Sequence, residues 1–353
     1  MKSKASIVYD EGIALYDFGS DQEMRGDRFP RYLKLLESRG ILDLERVSLV
    51  KPKSATIDDL LLVHSVEYID RVDKTAQEKG FLDEDTPLRT STVHAAKLIV
   101  GAALKAAELV ANREVDIAQA VGGGLHHAGR DYGGGWCIYN DVAAAAKSSI
   151  TRHGFNRILI FDTDAHAGNG TMDIFYEEPK VLYLGVHQDP DSLFPYTGYV
   201  DQFGKGVGLG YTVNVPLPVG ADDDCMQSVI DRVFKPVARQ FNPNIIIRNG
   251  GADPHYMDEL ADLGLSYNGL RMIGEATVDV ASEIGCGVVD LVCSGYNPGY
   301  EEYGLYALLC GLLGLEMDLE EEITPKPVND VLELTNSTID DLGKILSDYW
   351  NIE

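Results

Sequence analysis

The chain predicts an α/β fold: a single domain on a mostly parallel β-sheet with helices on both faces. Three observations predict it. Short apolar, β-rich runs recur along the sequence with helical patterns between many of them, the alternation that builds a parallel sheet. A length of 353 residues, 45% hydrophobic and 24% charged, is that of an ordinary globular protein large enough to bury a substantial core. Polar, glycine-rich clusters follow several of the apolar runs, at the carboxyl ends of probable parallel strands, where α/β folds place their sites.

In chain order, the expected strands are Ala5–Tyr9, Ile117–Val121, Ile158–Asp162, Val181–Val186, Tyr211–Val215, Ile245–Arg248 and Val288–Cys293. The helical patterns cover Ser91–Asn112, which is long and Ala/Leu-rich, then Asp141–Thr151, Cys225–Gln240, Gly269–Ile284 and Tyr300–Glu316. Asp318–Asp330 is acidic, carries Pro325 and Pro327, and reads as a surface connection to a last helix near Ile339–Tyr349. The segment after that connection is too short for a second domain, so residues 1–353 are expected to form one. There is no internal repeat and no low-complexity segment.

The net charge of −26 is spread along the chain. It argues against broad nucleic-acid binding, because counterion release needs a basic surface. A negative field favours cationic ligands such as polyamines or lysine-rich protein segments, although solubility or a salty cytosol would call for the same composition. No stretch reaches the length of a membrane span and the N-terminus has no signal-peptide pattern, so no membrane partner is expected. The five cysteines are scattered, without a Cys-x-x-Cys pair, which points to a reducing cytoplasm and away from a disulfide scaffold or a thiolate zinc site.

Four clusters carry chemistry. Asp162-Thr163-Asp164-Ala165-His166-Ala167-Gly168-Asn169-Gly170 follows the run Arg157–Phe161. In extended backbone, residues two apart point the same way, so Asp162, Asp164 and His166 share a face if the turn does not redirect the last of them. Asp with His suits zinc, iron(II) or manganese; a capped strand end is the plainer reading. The second cluster, Val121-Gly122-Gly123-Gly124-Leu125-His126-His127-Ala128-Gly129, ends another strand. Its paired histidines are compatible with metal ligation, acid/base work, or hydrogen-bonded burial in a core. Gly133-Gly134-Gly135-Trp136-Cys137 comes next as a glycine-rich loop ending in an aromatic, suited to lining a narrow passage. In the third, Arg248-Asn249-Gly250-Gly251-Ala252-Asp253, Asp253 is placed as a ligand from a neighbouring strand end, ahead of His255; its plainer role is a cap. In the fourth, Cys293-Ser294-Gly295-Tyr296-Asn297, a tyrosine in a glycine-flanked loop can donate its hydroxyl to a developing oxyanion, or simply pack.

Taken together, these motifs resemble the histone deacetylase superfamily, which includes the zinc-dependent deacetylases, the bacterial acetoin-utilisation proteins and the acetylpolyamine amidohydrolases. The stretches that carry the resemblance are Gly123-Gly124-Leu125-His126-His127-Ala128, Gly135-Trp136-Cys137 with Tyr139-Asn140-Asp141, Asp162-x-Asp164-x-His166-x-Gly168-Asn169-Gly170, Phe194-Pro195-x-Thr197-Gly198, Gly251-Ala252-Asp253 and Gly295-Tyr296-Asn297. Leu61–Ile69 and Asp85-Thr86-Pro87 add support, and the resemblance runs from about Asp17 to about Leu315.

The resemblance implies roles residue by residue. Asp164, His166 and Asp253 look like three ligands of a catalytic Zn²⁺ with one position left open, with Fe²⁺ or Co²⁺ as competitors. His126 and His127 look like the acid/base pair, His127 the likelier proton shuttle. Asp162 would hold His126, and His127 would face Asn169, whose neutral amide stabilises an imidazolium less than the aspartate of some relatives. Tyr296 looks like the oxyanion donor. Trp136 and Phe194 look like walls of a slot for a thin aliphatic stem, with Leu260 at the rim, Gly135 leaving room for backbone, and Asp85 at the mouth. A K⁺ ion bound largely by backbone carbonyls near Asp162, Asp164 and His166 is also implied. The substrate would be an acetylated lysine peptide or protein, or an acetylated polyamine. A homo-oligomer would matter because a second subunit would narrow the mouth.

Two departures concern substrate choice. Gln22-Glu23-Met24-Arg25-Gly26-Asp27-Arg28 stands where a His-Pro-x-Arg-Pro-x-Arg pattern is common, so a less rigid loop is expected there. Asp258-Glu259-Leu260 stands where Asp-Pro-Leu is usual, adding charge near the rim. Two alternative functions make different demands on the sequence. A manganese ureohydrolase of arginase type would need ligands for a second metal, and Ala165 and Ala167 supply none. A non-catalytic acyl-lysine binder would not need Tyr296 or the histidine pair.

Overall fold

The computed structural model describes residues 3–321 and 328–352. Among the described residues there are eight strands: β1 (Ala5–Val8), β2 (Val47–Val50), β3 (Ile117–Val121), β4 (Ile158–Asp162), β5 (Val181–Gln188), β6 (Thr212–Leu217), β7 (Ile245–Asn249) and β8 (Gly287–Val292). They belong to a sheet of order β2-β1-β3-β8-β7-β4-β5-β6. β1 pairs with β2 and β3, β4 with β5 and β7, and β5 with β6, all parallel. All seven expected strands are there, with ends moved by a residue or two.

The strand that the apolar-run criterion missed is β2. Only Val47 of its four residues is fully buried, and Leu49 is 56% exposed. A short, half-wet strand at the sheet edge, followed by Lys51-Pro52-Lys53, carries no apolar run to read, and charge and proline there discourage pairing with another chain.

The helices are α1 (Arg28–Ser38), α2 (Ile57–Leu60), α3 (Val66–Gln77), α4 (Thr90–Ala111), α5 (Asp141–Thr151), α6 (Asn169–Phe175), α7 (Asp223–Val229), α8 (Lys235–Phe241), α9 (Tyr267–Ile284), α10 (Glu301–Leu313) and α11 (Val331–Ile345). Side-chain caps start several of them. Asn140 accepts from Ala143 N–H at 2.7 Å to open α5, and Ser266 accepts from the second and third amides of α9. The pattern over Cys225–Gln240 is one helical path broken into α7, a π turn at Ile230–Phe234, and α8. Pro236 explains the break, because it has no N–H for the carbonyl four residues back and its ring needs the wider turn.

The last helix starts eight residues before the expected Ile339. Its buried positions Val331, Thr335, Ile339 and Leu342 keep helical spacing, but the exposed Leu332 and Leu334 put apolar residues out of phase in the first turn. Of the expected connection Asp318–Asp330, residues 322–327, with Pro325 and Pro327, lie outside the described residues.

The contacts fall into two compact units interleaved along the chain. One comprises Met1–Phe155, Asn169–Ile174 and Val289–Cys293; the other comprises Asn156–Gly168, Phe175–Val288 and Ser294–Glu353. In the first, a buried polar line crosses the core: Tyr32 donates to Gln119 Oε1 at 2.8 Å, and Gln119 Nε2 donates to Asp290 at 2.8 Å. In the second, the Phe161 and Phe234 rings stack at 3.9 Å, and Arg248 is fully buried, donating to the Gly250 carbonyl at 2.8 Å. All five cysteines are free. Among the described residues, no helix is long and apolar enough to cross a membrane.

Gly101 in α4 sets propensity against packing. Alanine is worth about 1 kcal/mol more than glycine inside a helix. A Cβ at Gly101, however, would lie 1.8 Å from the Lys53 carbonyl oxygen, which is backbone and cannot swing away. Gly101→Ala is expected to destabilise the protein by about 1–3 kcal/mol. Chemical denaturation measures it, and a higher midpoint would show that the Lys53 segment yields freely.

Candidate active site

The second unit gathers the expected ligands. β4 and β7 pair in register, Asp162 opposite Asn249, so the chain leaves both strands at the same level. Gly250, at φ +117°, then passes the turn after β4 so closely that a Cβ would meet Asp164 N at 2.6 Å. The result is one buried group: donor atoms of Asp164, His166 and Asp253 lie within 4.8 Å of one another. His166 Nδ1 stands 3.2 Å from Asp164 Oδ1 and 3.1 Å from Asp253 Oδ2. Ser294 donates its hydroxyl to the other Asp253 oxygen at 2.8 Å, and Ala165 N–H donates to Oδ2 at 3.0 Å.

The electrostatics follow from burial. Desolvation and the Asp164 charge push the Asp253 carboxyl well above the usual range. Burial opposes charge on His166 too, but the two carboxylates overcome it and hold the imidazole at about 10. Two buried carboxylates around one ring nitrogen therefore demand positive charge at that spot. Two oxygens and one imidazole nitrogen are a donor set that a divalent cation such as zinc satisfies, so the residues fit a metal. Among the described residues this is one three-ligand group, with no second set for a two-metal centre.

Asp162 lies behind this group as the last residue of β4. It accepts from Asn249 Nδ2 at 2.9 Å, from Tyr183 OH at 3.2 Å and from Asp164 N–H at 3.3 Å. Tyr183 OH in turn accepts from Gly168 N–H at 3.1 Å, tying down the end of the motif. The Tyr296 ring stands edge-on to His166, centroids 6.0 Å apart at 90°. Phe194 is 40% exposed, and Leu260 is partly exposed in the loop that follows Asp253. His255 is placed elsewhere: it is buried in a stack with Tyr267 and Tyr256, at 4.4 and 4.5 Å, beside Glu321.

The first unit holds the histidine pair. Asp141 accepts from Gly124 N–H and from Leu125 N–H, the latter at 2.7 Å, fixing the strand end just before His126. Burial pushes Asp141 up to about 6 in spite of these amides. The His126 carbonyl accepts from Thr171 N–H at 2.9 Å, and Asn140 Nδ2 donates to the Ala128 carbonyl at 2.8 Å, so the backbone of the pair is held from both sides. His127 Nδ1 donates to Asn169 Oδ1 at 2.8 Å. The two Nε2 atoms are 3.2 Å apart. With Nδ1 of His127 carrying a proton, the Nε2–Nε2 contact needs a proton on His126 Nε2 or a charged His127, and a pair sharing a proton in this way is suited to proton transfer.

The Trp136 loop is also in the first unit. Gly135 and Trp136 are consecutive left-handed residues, φ +54° and +59°. The strain is held by Asp83, which accepts from Gly135 N–H at 2.8 Å, by Thr86 Oγ1, which accepts from Trp136 N–H at 3.0 Å, and by Tyr16, which donates to the Trp136 carbonyl. Trp136 Nε1 donates to Gln22 Oε1 at 2.9 Å. Asp85 is exposed on the same loop as Asp83.

The N-terminal stretch Gln22–Arg28 has hydrogen bonds of its own. Arg28 is buried and donates to the carbonyls of Arg25, Glu23 and Cys293. Asp83 is not singled out by the motifs, and the hydrogen bonds made by Gln22, Asp141 and Asp258 cannot be read from them. Their partners are mostly backbone amides, which leave no residue-type pattern to recognise.

The chain is similar to known proteins over most of its length. A model of the histone deacetylase domain matches residues 22–310. A probable deacetylase of Archaeoglobus fulgidus is 32% identical, with 98% of each chain covered. The acetoin utilization protein AcuC of Bacillus subtilis is 33% identical over 91% of this chain and 84% of its own. The crystal structure of the HDA15 HD domain matches with a TM-score of 0.87 and 26% identity, covering 99% of this chain and 96% of that one. A fold of this kind with a buried Asp-His-Asp group defines a metal-dependent class of hydrolases. This chain belongs to the histone deacetylase family and is a deacetylase.

Co²⁺ uptake by metal-free protein, followed by visible absorption, separates the two loop candidates. Asp253→Ala is expected to weaken binding by about 100-fold or more, and His255→Ala to leave it nearly unchanged. Equal losses would place His255 among the ligands.

Proposed function

We propose that this deacetylase removes acetyl or short acyl groups from a primary amine carried on a thin aliphatic stem, the side chain of lysine or a polyamine. The observation that carries the reading is the buried Asp164–His166–Asp253 group, whose two carboxylates need a cation. Zinc is the metal proposed for these residues, with iron(II) or cobalt as competitors, and a structural K⁺ near the 162–166 segment belongs to the same reading. When bound, such a metal polarises the acyl carbonyl and makes water a better nucleophile.

The remaining chemistry belongs to the chain's own side chains. His127, steadied by Asn169, takes a proton from the attacking water at Nε2 and delivers it to the leaving amine. His126 shares the proton that keeps the pair poised. Asp162 acts through hydrogen bonds that hold the segment in place. Tyr296 donates its hydroxyl to the acyl oxygen as negative charge develops there. Trp136 and Phe194 pack against the stem, Gly135 leaves room beside it, Leu260 rims the entrance, and Asp85 accepts hydrogen bonds from the substrate. The net charge of −26 supports cationic substrates, and five free cysteines fit a reducing, cytoplasmic setting.

The test is deacetylation by zinc-loaded protein of an acetyl-lysine peptide and an acetylpolyamine in parallel, with Asp164→Ala and Tyr296→Phe as controls. Turnover of the peptide implies a mouth open to proteins; turnover of the polyamine alone implies a restricted one. Asp164→Ala is expected to lose both metal and activity. Tyr296→Phe is expected to keep its metal and lose about 10²–10³-fold in kcat. No turnover of either compound by metal-loaded wild type would overturn the proposal for these substrates and favour a binder or another acyl group.

A further inference from the structure

We infer that Asp258 is a positioning residue that fastens the rim of the entrance to the tyrosine that binds the acyl oxygen, an inference that rests on the roles proposed above for Leu260 and Tyr296. Asp258 lies five residues after Asp253, in the same loop. Its Oδ1 accepts from Leu260 N–H at 2.9 Å and from Ala261 N–H at 3.1 Å, which folds its own loop into a tight turn. Its Oδ2 accepts from Tyr296 N–H at 2.7 Å, reaching a loop that lies 38 residues further along the chain. A second bond runs between the same loops, from Asn297 Nδ2 to the Met257 carbonyl.

Tyr296 is held by this clamp at its own backbone amide. The preceding Gly295 has φ +126°, a conformation that only glycine adopts readily. Asp258 therefore holds the backbone from which the Tyr296 ring reaches edge-on towards His166. In an oxyanion donor, a displacement of about 1 Å costs on the order of 10²-fold in rate. One carboxylate thus sets two things at once: where Leu260 stands at the rim and where the Tyr296 hydroxyl points.

The choice of side chain is specific. Three N–H donors converge on two oxygens, and only a carboxylate accepts on both. Asparagine would keep the two bonds on one side and turn its NH₂ towards an amide on the other. Glutamate would be one methylene too long for a turn that closes two and three residues on.

The experiment compares Asp258→Asn, Tyr296→Phe and the double variant, using whichever acetylated amine the wild type turns over, with metal content and thermal midpoint measured for each. Asp258→Asn is expected to lower kcat about tenfold or more at wild-type metal content. Because it acts through Tyr296, it should lower kcat by less than about twofold further in the Tyr296→Phe background. Multiplicative losses, or unchanged kcat in Asp258→Asn, would overturn the coupling while leaving the role of Tyr296 intact. Full turnover by Tyr296→Phe would overturn that role and this inference with it. If Asp258→Asn does not fold, amide exchange in the wild type decides: the Tyr296 N–H should exchange slowly, and fast exchange there would overturn the clamp.

Discussion

Two carboxylates buried side by side are the constraint around which the second unit is arranged. Asp164 and Asp253 come from different strand ends, and nothing local brings them together. The in-register pairing of β4 and β7 does, with Gly250 letting the two turns pass at backbone distance. Once there, the pair is poorly solvated and mutually repelling, so every neighbour supplies a proton or a dipole: His166 between them, Ser294 and the Ala165 amide on Asp253, and the His166 amide on Asp164. The donor set that results is one a divalent cation can satisfy.

The acidic composition has a structural use beside any electrostatic one. Asp83, Asp141 and Asp258 each direct their charge at backbone amides of glycine-rich or otherwise unsupported turns. Such bonds to ionised groups are stronger than neutral ones, and they hold loops that hydrophobic packing cannot reach. Part of the acidic charge is therefore directed inward, to hold the loops that carry His126, Trp136 and Tyr296.

Family membership and departures from the family pattern are reconciled at the N-terminal loop. Gln22 stands within the stretch where the His-Pro-x-Arg-Pro-x-Arg pattern is usual, and its side chain accepts from the Trp136 indole. Arg28 keeps its arginine and satisfies three carbonyls. The polar side chains of this loop thus bond both to its own backbone and to the tryptophan of the proposed slot.

The sequence by itself determined the strands with continuous apolar runs, the long helices, and the residue types of the metal group, the histidine pair and the tyrosine. These are local signals: burial on both faces of a strand, helical spacing, and clusters at strand ends. It did not reveal β2, whose side chains are mostly wet, the first turns of α11, whose exposed leucines blur the period, or the π turn before Pro236. Nor did it reveal the aromatic stack that His255 enters beside Tyr256 and Tyr267. Those outcomes were decided by tertiary structure, because they depend on strand register and on backbone amides presented by distant loops, and every residue type has the same amide.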